Sequence, residues 1–156
     1  FEPGEKDVLD RPPRPPQEGI MSRLLIKRTI LVALIISAGI VYEYVHALNQ
    51  GASLEKARTI AVTTMVFFQF FQAYNSRAEM HSLFTMNPLG NPFLFFGTIA
   101  AFIAHLAAIY LPAMQWIFRL EPIGAMEWLR IALVSITVVI VVEIDKLARR
   151  VLAAHR

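Results

Sequence analysis

The sequence contains no cysteine in 156 residues, so it can carry neither a disulfide framework nor a thiolate metal site. That absence fits a reducing, cytosol-facing setting. Charge is also scarce, at 17% of residues, and the twenty residues Pro92–Leu111 hold none if His105 is neutral. There is no glycine-rich phosphate loop, no HExxH and no serine nucleophile elbow. With no nucleophile, base or magnesium site for phosphoryl transfer, the chain by itself is expected neither to bind nor to split ATP. A basic segment followed by a short apolar core and a small-residue cleavage site is missing too, so no signal peptide is expected. Phe1 stands where an initiating Met would stand, which reads as a processed or excised chain.

What is present is apolar and comes in blocks. Hydrophobic residues make up 56% of the chain, and the mean hydropathy is +0.50. A soluble domain of this length carries a lower apolar fraction, distributed in stripes. The net charge is +3, but the basic residues are scattered around the apolar blocks and form no patch with interleaved aromatics. That pattern argues against a nucleic-acid partner and for anchoring at lipid headgroups.

Residues 1–19 are polar, and Pro3, Pro12, Pro13, Pro15 and Pro16 favour an extended arm on the water side. Residues 20–156 read as a transmembrane domain with four spans at about 20–48, 54–76, 92–111 and 126–151. Arg23, Lys27 and Arg28 precede the cleanest part of the first and can snorkel to the interface. Ser53 is placed to cap the second. Pro92 suits a first helical position and Pro112 a stop, leaving a third span of ~30 Å, the thickness of a hydrocarbon core. The fourth has a short uncharged core, Ile131–Val142, flanked by Glu127 and Arg130 at one end and Lys146, Arg149 and Arg150 at the other. The expected fold is all-α, an integral membrane bundle of four antiparallel transmembrane helices joined by short links.

Four spans put both ends on one side. That side holds eleven of the 15 Lys and Arg, while the other holds Lys56, Arg58, Arg119 and Arg130. The positive-inside rule therefore predicts a multi-pass integral membrane protein with both termini cytosolic. Tyr42, Tyr44, Tyr110, Trp116 and Trp128 fall at the opposite boundary, where amphipathic rings favour the interface.

Polar groups inside apolar spans need partners in protein or a wet cavity. On the second span, Gln69, Gln72 and Ser76 share a face that Met65 continues and Asn75 flanks. Such a stripe, facing the bundle, can offer amide carbonyl oxygens to a hard cation. It can equally pin helices together by mutual hydrogen bonds. Glu43 reads as an interfacial or cation-paired carboxylate, or else as a ligand or proton carrier. His105 reads as a hydrogen-bonded packing residue. Glu143, Asp145 and Lys146 read as a helix-end ion-pair cluster or a docking point for a cytosolic element. The small residues Ser37, Ala38 and Gly39 permit a close helix approach.

In series, several peptides resemble the carboxy-terminal region of P-type cation-transporting ATPases, closest to calcium pumps. Asp7 to Arg14, with Asp10-Arg11-Pro12-Pro13-Arg14 at its core, resembles the cytosolic loop between the sixth and seventh membrane helices. Phe67 to Arg77 resembles the end of the eighth helix. Asn91-Pro92-Phe93-Leu94, Ile109-Tyr110-Leu111-Pro112 and Trp116-Ile117-Phe118 resemble the ninth helix and the loop after it. Trp128 and Glu143 to Arg150 resemble the tenth. The resemblance implies that the four spans are helices seven to ten of a ten-helix pump. Its partners are then the bilayer, the remaining transmembrane helices and the cytosolic domains. No cofactor is implied for this portion; Mg and ATP belong to the parent, and calcium is the implied cargo. The phosphorylation sequence DKTGT is absent.

One departure bears on the cargo site. Two-calcium pumps carry a glutamate on the eighth helix where this chain has Gln69, and an amide is a weaker calcium ligand than a carboxylate. The resemblance thus marks Gln69 as the candidate metal-contacting residue of a one-calcium pattern. Asp10, Arg11, Arg14, Gln72 and Asn75 are candidates for coupling or structural roles. A pump for sodium, protons or another cation, and a free-standing four-helix scaffold or regulatory subunit, are the alternatives.

Overall fold

The computed structural model describes residues 23–77 and 87–154, so Asp10, Arg11 and Arg14 lie outside the described residues. The described residues are helical with no strand: α1 (Arg23–Asn49), α2 (Leu54–Asn75), α3 (Pro92–Tyr110), α4 (Pro112–Phe118), α5 (Ala125–Ser135) and α6 (Thr137–Ala154), with a 3₁₀ turn at Pro88–Gly90. Two of these, Leu25–Asn49 within α1 and Pro92–Tyr110, are long and apolar enough to cross a membrane.

Local chemistry sets the boundaries. Gly51 turns the chain after α1 with φ 77°, a conformation glycine adopts without penalty. Ser53 then accepts a hydrogen bond from Lys56 N, capping α2. Asn91 accepts from Leu94 N with Pro92 in the first turn, as expected for the start of α3. Pro112 ends α3 but also opens α4, because a proline at the first helical position loses no hydrogen bond. The helix α4 was not foreseen in the long third link.

The stretch expected as the fourth span, 126–151, is divided between two helices that meet at Ile136. Thr137 Oγ1 donates to the carbonyl of Val134 at 2.6 Å. That carbonyl is the one an uninterrupted helix would offer to the amide of Val138. Side-chain competition of this kind interrupts or bends helices, and it falls here within a β-branched run of low helix propensity.

Contacts fix the relative directions. Arg28 near the start of α1 reaches the carbonyl of Asn75 at the end of α2. Phe67 and Phe70 of α2 pack on Phe102 of α3, and His105 meets Thr63, so α2 and α3 run oppositely. Trp128 lies on Phe67, and Asn75 bonds the carbonyl of Val138, so α5 and α6 run with α2. One apolar cluster joins Ala47, Ala57, Ile60, Ile109, Ile123 and Ile131. A second joins Val32, Phe68, Val138, Val139 and Val142. Gly39 is required between α1 and α2: a Cβ there would sit 2.5 Å from Phe68 Cζ and 3.3 Å from Val134 Cγ1. The glycine of the small-residue patch thus receives a ring from within the bundle, while Ser37 and Ala38 are exposed.

Polar groups share the interior with the two apolar clusters, and many large apolar side chains lie outside it. Glu43, Thr59, Thr63, Thr64, Asn75, Ser135 and Lys146 are buried, while Phe93, Phe96, Ile103, Leu133 and Ile140 stand exposed.

Candidate functional site

The candidate site is the polar seam of α2 and the groups that face it. Helical spacing divides the amides of α2 between two sides. Gln69 is exposed, on the same open face as Met65 and Ser76. Gln72 is half-buried at the border, and its Oε1 is buried without a hydrogen-bond partner among the described residues. Asn75 is fully buried. Its Nδ2 donates to the carbonyl of Val138 at 3.5 Å, while its Oδ1 is buried without a partner among the described residues. The stripe is therefore split: Asn75 ties α2 to α6, and Gln69 points away from α5 and α6 toward open space.

Hydroxyls line the opposite face of α2. Thr63 Oγ1 donates to the carbonyl of Thr59 at 2.7 Å, and Thr64 Oγ1 to that of Ile60 at 2.8 Å. These bonds back to the preceding turn satisfy the hydroxyls inside an apolar helix. His105 Nε2 lies 3.1 Å from Thr63 Oγ1. Since the threonine hydrogen is committed to Thr59, the histidine donates. Ser135 Oγ reaches the carbonyl of Thr64 at 3.5 Å. The Thr59–Thr63–Thr64 spacing was visible in the sequence, and its placement in an apolar block is the signal that was passed over.

Charges at both ends of the seam are paired. Arg130 Nε donates to Glu43 Oε2 at 2.8 Å, with the Glu43 side chain 0% exposed. Its Oε1 is buried without a hydrogen-bond partner among the described residues. Lys56 pairs with Glu127 at 2.6 Å, whose Oε2 also accepts the Gly124 amide in the reach-back of a capping box. At the other end, Lys146 pairs with Glu143 at 3.1 Å and Arg149 with Asp145 at 2.5 Å. The cation-paired reading of Glu43, the packing reading of His105 and the ion-pair reading of the α6 end are the ones these contacts match. The partner of Glu43 lies 87 residues away in sequence, and no local pattern announces it.

Among the described residues no three His, Asp or Glu side chains converge to hold a metal. The chemistry on offer is fastening of helices by buried hydrogen bonds and presentation of amide oxygens on the open side of α2. The same donor set does not suit resident magnesium, which is bound through carboxylates together with substrate phosphates.

Comparison with known proteins decides the affiliation. Residues 1–148 match the family described as cation transporting ATPase, C-terminus. The chain belongs to that family. A probable cation-transporting ATPase F from Mycobacterium bovis is 34% identical over 98% of the chain. Calcium-transporting ATPase 1 from Yarrowia lipolytica is 31% identical over 93%. Human calcium-transporting ATPase type 2C member 2 is 30% identical over 96%. The chain spans 16–17% of the length of these relatives. As a cation-transporting ATPase C-terminus, it carries its Asp10-Arg11-Pro12-Pro13-Arg14 peptide inside the matched range.

Proposed function

We propose that the chain is the membrane-embedded carboxy-terminal bundle of an ATP-driven cation pump, crossing the bilayer four times with both ends in the cytosol. The passes are α1, α2, α3, and α5 with α6 together. The observation that carries this reading is the extent of exposed large apolar side chains along the helices, with threonines, Asn75 and the paired Glu43 and Lys146 held inside. In water the exposed apolar side chains would lose hydrophobic stabilisation; in lipid they meet hydrocarbon, and the threonines and paired charges find their partners within protein. The distribution of Lys and Arg supports the cytosolic placement of the ends.

The bundle is non-catalytic and buttresses the transport helices that lie outside this chain. Mg and ATP act in the parent's cytosolic domains. Calcium is the cargo favoured by the names of two of the relatives. A different cation is the second reading, because the mycobacterial relative is named for no particular ion. Gln69, on the open side of α2, is the residue positioned to meet a neighbouring transport helix and its ion. Gln72 borders the same face, and Asn75 fastens it to α6.

Calcium uptake by vesicles containing the full-length protein tests the role, with Gln69 intact, Gln69→Glu and Gln69→Ala. Restoring a carboxylate is expected to raise calcium affinity and truncation to lower it. Unchanged affinity in both removes Gln69 from the ion path. Reporters fused after Gly51 and after Arg156 are expected on opposite sides of the membrane; same-side signals overturn the four-pass reading.

A further inference from the structure

At the end of the bundle that carries the α1–α2 turn, the first turn of α2 and the short helix α4 border an open cavity of about 570 Å³. Its lining comprises Glu55, Gln115, Trp116, Ile117, Arg119 and Leu120. The size falls in the range of small-molecule sites. Its walls hold one anion, one cation and one amide. Neither Glu55 nor Arg119 takes part in the ion pairs among the described residues, so opposite charges face one cavity without neutralising each other. An acid in the first turn of a helix is favoured by the helix dipole, which accounts for Glu55 but not for the arginine opposite it.

Two further features shape the cavity. Gln115 Nε2 donates to the carbonyl of Ile109 at 2.7 Å, which pins the amide and leaves its Oε1 as an acceptor. Arg119 ends α4 with φ 51°, a left-handed conformation that costs a non-glycine residue energy. Beside the cavity the surface is apolar: Trp116, Ile117 and Phe118 are 84%, 57% and 60% exposed. A charged pocket beside a projecting tryptophan is the pattern of a surface at headgroup depth.

We propose that this cavity binds the headgroup of a phospholipid bearing a primary ammonium, phosphatidylethanolamine, from the non-cytosolic leaflet. The guanidinium of Arg119 takes the phosphate oxygens. The carboxylate of Glu55 and Oε1 of Gln115 accept hydrogen bonds from the ammonium. The acyl chains lie along Ile117 and Phe118. A choline headgroup has no N–H to give those two acceptors, and a glycerol headgroup leaves the carboxylate of Glu55 without a cation. The leaflet assignment rests on the membrane reading above.

The test uses the full-length protein, delipidated in detergent and titrated with dioleoyl phosphatidylethanolamine, phosphatidylcholine or phosphatidylglycerol, with bound lipid counted by native mass spectrometry. The wild type is expected to retain the ethanolamine lipid about tenfold more tightly than the other two, the ratio of one charge-assisted hydrogen bond. Glu55→Gln abolishes that preference. Arg119→Gly weakens all three lipids while suiting the positive φ, so its thermal midpoint is unchanged or higher. Should Glu55→Gln fail to fold, Arg119→Gly decides. Equal retention of the choline lipid, preference for the glycerol lipid, displacement by millimolar inorganic phosphate, or undiminished binding by Arg119→Gly overturns the site. A reporter after Gly51 separates the two ideas. If it lies in the cytosol, the membrane reading fails; if it lies outside and the ethanolamine lipid is not retained, the headgroup site alone fails.

Discussion

Removing the Arg130 side chain is expected to be the most destabilising single change at the seam. Glu43 is fully buried, and Arg130 Nε is 2.8 Å from its Oε2. The second carboxylate oxygen has no hydrogen-bond partner among the described residues. Arg130→Ala therefore leaves a buried carboxylate with nothing to offset its desolvation, a loss of about 3–5 kcal/mol. Glu43→Gln is milder. It removes the buried charge and keeps the shape, and Arg130, 28% exposed, can turn toward water; about 1–3 kcal/mol is expected. Replacing both, as Glu43→Met with Arg130→Met, removes the desolvation penalty together with the attraction. That variant should lie within about 1 kcal/mol of the wild type or above it. With the single variants Glu43→Met and Arg130→Met added, thermal unfolding in detergent closes a double-mutant cycle against the wild type and the double Met variant, with a coupling energy of at least ~2 kcal/mol. The reasoning fails if Arg130→Ala unfolds at the wild-type temperature, or if the double variant is as unstable as the sum of the single ones.

Other expectations follow from particular contacts. Gly39→Ala drives a methyl group into the Phe68 ring and should cost about 1–3 kcal/mol; combining it with Phe68→Leu should recover part of the thermal midpoint. Tyr110 OH donates to the carbonyl of Ile123 and accepts from Trp128 Nε1, each at 2.7 Å. Tyr110→Phe leaves both groups unpaired and should cost about 1–3 kcal/mol with a shift in tryptophan emission, whereas an unchanged spectrum would deny the contact. Asn75→Leu removes a buried amide oxygen without a partner, so the midpoint should hold or rise. A fall of more than about 2 kcal/mol would mean that the Val138 bond outweighs the orphaned oxygen.

Much of the helical layout was legible because lipid-length apolar runs and their punctuation are local signals. Ser53 and Pro92 mark boundaries that depend only on nearby residues, and the structure uses both of them. Two features escaped for opposite reasons. Pro112 reads as a stop, yet the same missing amide suits a helix start, so only the path of the chain beyond it could reveal α4. The break at Ile136 depends on whether the Thr137 hydroxyl turns back to its own helix, a rotamer choice that sequence spacing does not record. The site was half legible. Periodicity correctly put Gln69 and Gln72 near one face, but the direction of that face depends on how α5 and α6 dock, and they dock beside Asn75. The partner of Glu43 was beyond reach, since pairing across 87 residues is a property of packing.

The interruption at Ile136 divides residues 125–154 into an upper piece, α5, and a lower piece, α6. The upper piece is clasped to α1 through Arg130. The lower piece holds Lys146 and Arg149 in ion pairs of its own. On the four-pass reading proposed above, the competing Thr137 bond marks where a tilt of the lower piece would leave the clasp above intact. On that reading α6 can follow moving neighbours while α5 keeps its hold on α1.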